Sequence, residues 1–128
     1  MLKTLKPDTV APPFSAYSHA VEIPAGARTL YVSGQLGIAP DGSVPEDFAG
    51  QADRAFRNVL AILEEAGMSA SDLVRVNTYL TDKADIGGYR EIRDRHLGGH
   101  EAASTMIVIS ALAQPQFRIE IEAVAAKA

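Results

Sequence analysis

The sequence predicts an α+β fold in two layers, with two helices on one face of a mixed sheet. Three observations carry this expectation. Several short segments alternate apolar and polar residues, two longer ones repeat apolar residues at three- and four-residue steps, and turn-forming residues stand at most junctions. A chain of 128 residues suits a single hydrophobic core, so residues 1–128 are read as one domain.

Residues 1–13 form a lead-in punctuated by Pro7, Pro12 and Pro13. Residues 17–23 alternate as a strand, and Pro24-Ala25-Gly26-Ala27 turns the chain. In residues 29–38 Leu30 and Val32 face one way while Tyr31, Ser33 and Gln35 face the other, and the two strands are expected to pair as a hairpin. Gly34 and Gly37 interrupt the second strand, which suggests a bulge or a close backbone approach. After the turn Pro40-Asp41-Gly42-Ser43, residues 47–66 are helical. Their apolar stripe is Phe48, Ala52, Ala55, Phe56, Val59, Leu60 and Leu63, and Gly67 suits the left-handed position that ends a helix.

Residues 69–72 form a capped turn before a strand over 73–81, where Val74, Val76, Thr78 and Leu80 oppose Arg75, Asn77 and Tyr79. A second helix over 85–97 turns Ile86, Tyr89, Ile92 and His96 or Leu97 inward, and Gly98-Gly99 ends it. Residues 104–109 form a strand, and Pro115 breaks the loop after it. In the last strand, 117–124, Phe117, Ile119 and Ile121 share one face and Arg118, Glu120 and Glu122 the other. The order is β-β-α-β-α-β-β, two layers, with a polar and apolar mixture on the sheet face away from the helices. Such a face is either solvated or used for self-association.

Composition excludes several function classes. The net charge is −4 and no basic stripe is present, which argues against a nucleic-acid partner. No cysteine occurs, so thiolate metal sites and a cysteine nucleophile are excluded together. His19, His96 and His100 are too dispersed for a zinc site by spacing, and the common nucleotide, hydrolase and metalloprotease motifs are absent. No apolar run has the length of a membrane span and no leader pattern begins the chain, so a cytoplasmic location is expected.

The segment Ser15-Ala16-Tyr17-Ser18-His19-Ala20 resembles G-P-Y-S-Q-A of the Rid (reactive intermediate deaminase, YjgF-type) family. Leu30-Tyr31-Val32-Ser33-Gly34-Gln35-Leu36-Gly37 is similar to its strand motif, and Gln51 through Gly67, with Asn58 in place, to its first helix. The stretch from Asp72 to Asp82 and the ending Ile119-Glu120-Ile121-Glu122-Ala123-Val124-Ala125 complete the resemblance, which spans nearly the whole chain in order. It implies a chorismate-mutase-like subunit, a homotrimer with clefts between neighbours, and hydrolysis of enamines or imines such as 2-aminoacrylate without a cofactor. It also implies an arginine, in the motif P-A-R-S, that grips the substrate carboxylate. This sequence reads Glu101-Ala102-Ala103-Ser104, so Ala103 stands in the arginine's place.

An alanine cannot act as a two-donor fork. The expected substrate therefore differs from 2-aminoacrylate. The resemblance makes Glu120 the candidate that orients and activates water, whereas its strand position alone fits a solvated carboxylate beside Glu122. Tyr17, Ser33 and the Gly34 backbone fall at family cleft positions and can hydrogen-bond a ligand. Thr105 stands where the family has cysteine or serine, and is expected to line the cleft. Arg90 occupies a place that in the family holds asparagine near the cleft. It either restores positive charge lost at Ala103 or, as surface arginines commonly do, faces Asp94 one turn on. Arg118 shares a strand face with Glu120 and carries little functional weight. His19 and His100 are expected at the surface or in packing roles.

The leading expectation is a small-molecule enamine or imine deaminase with no metal. The alternative is a non-catalytic ligand-binding or regulatory trimer. A ribonuclease or translational inhibitor ranks last, given the acidic balance.

Overall fold

The layers form because one strand, Ile119–Lys127, alternates almost perfectly: Ile119, Ile121, Ala123 and Ala125 are buried while Glu120, Glu122 and Val124 are only half-buried. The computed structural model describes all 128 residues and has the element order β1 (Lys3–Leu5), β2 (Ala20–Glu22), β3 (Arg28–Leu36), α1 (Phe48–Glu65), β4 (Leu73–Leu80), α2 (Ile86–Leu97), β5 (Ala103–Val108) and β6 (Ile119–Lys127). Four strands make a mixed sheet in the order β3-β6-β4-β5. β6 is antiparallel to both of its neighbours, and β4 and β5, joined through α2, run parallel.

α1 lays Phe48, Ala52, Ala55, Phe56, Val59 and Leu63 into the core. Gly67, at φ +72°, ends it, with Gly67 N–H donating to Glu64 O at 2.9 Å and Met68 N–H to Leu63 O at 2.8 Å. This is the paired bonding that a left-handed glycine permits, and the buried Met68 and Leu63 supply its apolar contact. On α2 the buried residues are Tyr89, Ile92, Arg93 and Leu97. The expected apolar positions are therefore inward, but a guanidinium lies among them. Tyr89 is fully buried, and its hydroxyl lies 2.6 Å from Thr78 Oγ1, so the polar ends of both side chains are satisfied inside the core. Burial raises the Tyr89 phenol above its ordinary range.

Gln51 is a polar tie between layers. Its Nε2 donates to Pro45 O at 3.0 Å and Gln116 O at 2.8 Å, and its Oε1 accepts from Arg118 N–H at 2.9 Å. Gly37 lets the chain pass close by, since a Cβ there would stand 2.6 Å from Gln51 O. Asn58 repeats the device further along α1, donating to Leu36 O and Ile38 O.

The strand pairing at the N-terminal end differs from expectation. Residues 17–23 and 29–38 do not form a hairpin. β2 pairs antiparallel with β1, which the lead-in conceals, while β3 pairs with β6. The β1–β2 ribbon joins the opposite edge of the sheet. Ser18 bridges Ala103, with Ser18 N–H donating to Ala102 O at 3.0 Å and Ser18 Oγ–H to Glu101 O at 2.6 Å. Alternation identifies a strand without naming its partner, and the nine residues of β6 offer β3 a longer ladder than three-residue β2.

His96 stacks on Phe56 and its Nε2 lies 2.8 Å from Asp53 Oδ1, while Arg57 Nε donates to Asp53 Oδ2 at 2.8 Å. Burial alone would raise the Asp53 carboxyl; the bonds and charges of Arg57 and His96 outweigh it and hold the group below its usual value.

Two outcomes are expected. Gln51→Ala should lower unfolding free energy by about 2–4 kcal/mol in urea titrations, because buried backbone groups lose their partners. The lowered Asp53 value means its contribution is present above the unfolded carboxyl pKa and lost as pH falls through the folded one. Urea midpoints of the parent should therefore drop more steeply than those of Asp53→Asn as pH falls below about 4.

Candidate functional site

The expected site residues fall into two groups at opposite edges of the sheet. Tyr17, Arg90 and Thr105 line one cavity of 290 Å³, together with Ser104 and Met106 of β5 and Arg93 and Tyr89 of α2. The segment before β2 supplies Tyr17, placed there because Ser18 is bound to β5. Parallel pairing with β4 sets Thr105 opposite Asn77. Tyr17 Oη accepts the Phe14 N–H at 3.3 Å, and Thr105 Oγ1 accepts from Arg75 Nη2 at 2.7 Å. Both hydroxyl hydrogens thus remain free to donate to a ligand.

Arg90 is half-buried and makes no hydrogen bond or ion pair within the chain. Its supposed partner Asp94 is taken instead by Arg93, whose Nε donates to Asp94 Oδ1 at 2.9 Å. The ordinary surface-pair reading of Arg90 is thereby replaced by a place on the cavity wall. Ala103 begins β5, one residue before the lining.

The second group is Ser33, Gly34 and Glu120. The β3–β6 ladder slips between Val32 and Gln35, so Ser33 and Gly34 form the bulge. A Cβ on Gly34 would stand 2.2 Å from Glu120 Oε2 and 2.8 Å from its Cδ, so the carboxylate lies directly on the glycine backbone. Only glycine leaves room for that approach. Glu120 is half-buried, paired across the sheet with Tyr79 on one side and Leu36 on the other. Within one chain neither Glu120 nor Ser33 touches the Tyr17 cavity wall.

Between the groups runs the open face of the sheet. Tyr79 Oη–H donates to Glu122 Oε1 at 2.7 Å and Asn77 Nδ2 to the same oxygen at 3.3 Å. The Glu122 bond and charge, with burial, raise the Tyr79 phenol. Tyr31 on this face is 80% exposed and Ile107 45% exposed, while the buried Asn77 Oδ1 has no partner.

Other named residues are tied up structurally. Arg118 Nη2 reaches both Asp85 oxygens at 2.9 Å, and its guanidinium lies over Phe48. The Nε2 atoms of His19 and His100 meet the carbonyls of Ala11 and Leu73, both at 2.7 Å. No group of three or more His, Asp or Glu side chains is arranged to hold a metal, and no helix is long and apolar enough to cross a membrane.

The residue that sequence reasoning missed is Arg93. It is 5% exposed and lines the cavity. The signal was available: position 93 lies four residues beyond Tyr89 and seven beyond Ile86, on the inward side of α2.

Residues 8–127 match the family described as Endoribonuclease L-PSP. The chain is 34% identical over 117 residues to a RutC family protein of Pyrococcus abyssi, covering 90% of this chain and 89% of that one. It is 38% identical over 112 residues to the 2-iminobutanoate/2-iminopropanoate deaminase of Rattus norvegicus, covering 86% and 79%. Among solved structures, the Rid family protein YyfB of Yersinia pestis superposes with a TM-score of 0.88 at 32% identity over 98% of both chains. With the α+β fold and near-complete coverage in agreement, the chain belongs to the RidA/YjgF/RutC (Rid) family.

Proposed function

We propose that this protein hydrolyses a small reactive imine or enamine to a carbonyl compound and ammonia, in a cleft shared between copies of a cytoplasmic homotrimer. Kinship with deaminases supports the general chemistry. The observation that carries the assembled site is the division of its residues: a carboxylate on Gly34 at one sheet edge, hydroxyls and guanidinium groups at the other. A neighbouring copy that brings one edge against the other makes a cleft containing both. Exposed Tyr31 and Ile107 and the unpartnered Asn77 Oδ1 on the open face favour such self-association.

In this reading an enamine first tautomerises to its imine. Glu120 orients a water molecule and takes a proton as the oxygen attacks the C=N carbon. Glu120 passes that proton to the nitrogen, giving a carbinolamine; it then takes the hydroxyl proton and returns it to the nitrogen as the C–N bond breaks, giving C=O and NH₃ and leaving Glu120 ionised. Tyr17 and Ser33 hold the ligand by hydrogen bonds, and the Gly34 backbone seats the carboxylate. Ala103 supplies no cation, so a substrate carboxylate, if present, has to be held from another position than 103. The same alanine favours the second reading, a trimer that binds a small ligand without turning it over.

Ammonia release from freshly generated imines should exceed the spontaneous rate, and Glu120→Gln should lower kcat by about 10²-fold or more. Binding that persists with no release in either protein would select the non-catalytic reading. Gly34→Ala should stay folded, because Glu120 can swing aside, and should lose activity much as the Glu120 variant does. Light scattering should give the mass of three chains.

A further inference from the structure

We propose that Arg93, assisted by Arg90, is the carboxylate anchor of this protein, gripping the ligand from α2 instead of from β5. The cavity between these elements is lined by two guanidinium groups and no acid, in a chain whose net charge is −4. A pocket of that sign in an acidic protein selects an anion.

Arg93 is a built feature. It is 5% exposed, and its guanidinium lies 5.7 Å from the centroid of Tyr89, itself held by the bond to Thr78. Only one edge is spent: Nε donates to Asp94 Oδ1, and Nη1 is a long 3.4 Å from Ser15 Oγ. Nη2 sits 2.9 Å from the same Asp94 oxygen, so the Nε–Nη2 edge faces Asp94 and the Nη1 end is the less committed one. Asp94 is half exposed, so it offsets the charge from the solvent side, and it is not among the residues lining the cavity.

Arg90 stands three residues earlier on the same helix, where side chains are neighbours, and has no partner of its own. Tyr17 and Thr105 already have acceptor bonds filled and offer hydrogens. Tyr17, Thr105, Arg90 and Arg93 on this wall are therefore able to donate, and a carboxylate is all acceptor. The substrate class that follows is a small imine or enamine carrying a carboxylate, seated one helix away from where an arginine at position 103 would hold it. The reacting group in that description rests on the proposed hydrolysis; the anion site does not.

Calorimetry with pyruvate, a small unreactive 2-oxo acid, against its uncharged amide tests the anchor without turnover. The full-length parent should bind pyruvate at least about tenfold tighter than the amide. Arg93→Met should raise the pyruvate Kd by about tenfold or more and leave the amide unchanged. Arg90→Met should weaken pyruvate by a smaller factor, and Arg93→Lys should recover part of the loss. Equal binding of pyruvate and amide by the parent overturns the proposal, as does unchanged pyruvate affinity in a folded Arg93→Met protein. If that variant does not fold, Arg93→Lys and the parent comparison decide alone. Arg93-dependent binding without ammonia release would sustain the anchor and sink the hydrolase reading. Ammonia release whose KM ignores Arg93 and Arg90 would do the reverse.

Discussion

The strand β6 sets everything else. It is paired on both sides, and its alternation buries Ile119, Ile121, Ala123 and Ala125 under the helices while turning Glu120 and Glu122 to the open face. Because strand side chains repeat with period two, a one-residue slip would bury two carboxylates and expose the isoleucines. Such a slip costs many kcal/mol of burial and desolvation, so the register of β6 is secured by the core itself. Positions of chemical interest inherit that security: Glu120 is where it is because Ile119 and Ile121 are where they are.

The two helices divide the remaining work. α1 is tied through Gln51 and Asn58 to the loops at the ends of β3 and β6, which steadies the bulge and the carboxylate resting on it. α2 crosses from β4 to β5 and carries two arginines toward the far edge. One chain thus holds the Glu120 carboxylate on β6, against the edge strand β3, and guanidinium groups beside the other edge strand β5, with β4 between them.

Most of the fold was legible because its signals are local. The apolar stripe from Phe48 to Leu63, the left-handed Gly67 and Gly98, and the alternation from Val74 to Leu80 each report their own element. Gly34 could be read as a bulge because a glycine in an alternating strand has few other uses. Pairing was less legible. Lys3–Leu5 is exposed throughout, leaving no burial pattern to betray a strand, so β2 was matched to β3, its neighbour in sequence. Within the candidate site, Tyr17, Arg90 and Thr105 were named from the sequence and do share a cavity. Arg93 was overlooked because an arginine on a helix reads as solvated until its neighbours are known to be core residues.

The β1–β2 ribbon reaches the sheet edge through the Ser18–Ala103 bridge, supported by the Lys6–Glu101 ion pair. Each of its strands is three residues long, and none of those six residues is buried. Segments built this way open locally far below the free energy of global unfolding. Tyr17 is the residue next to that bridge, so one wall of the cavity is placed by the ribbon's few bonds to the sheet edge. The same few bonds that hold the ribbon to the sheet edge therefore also position the phenol on the cavity wall.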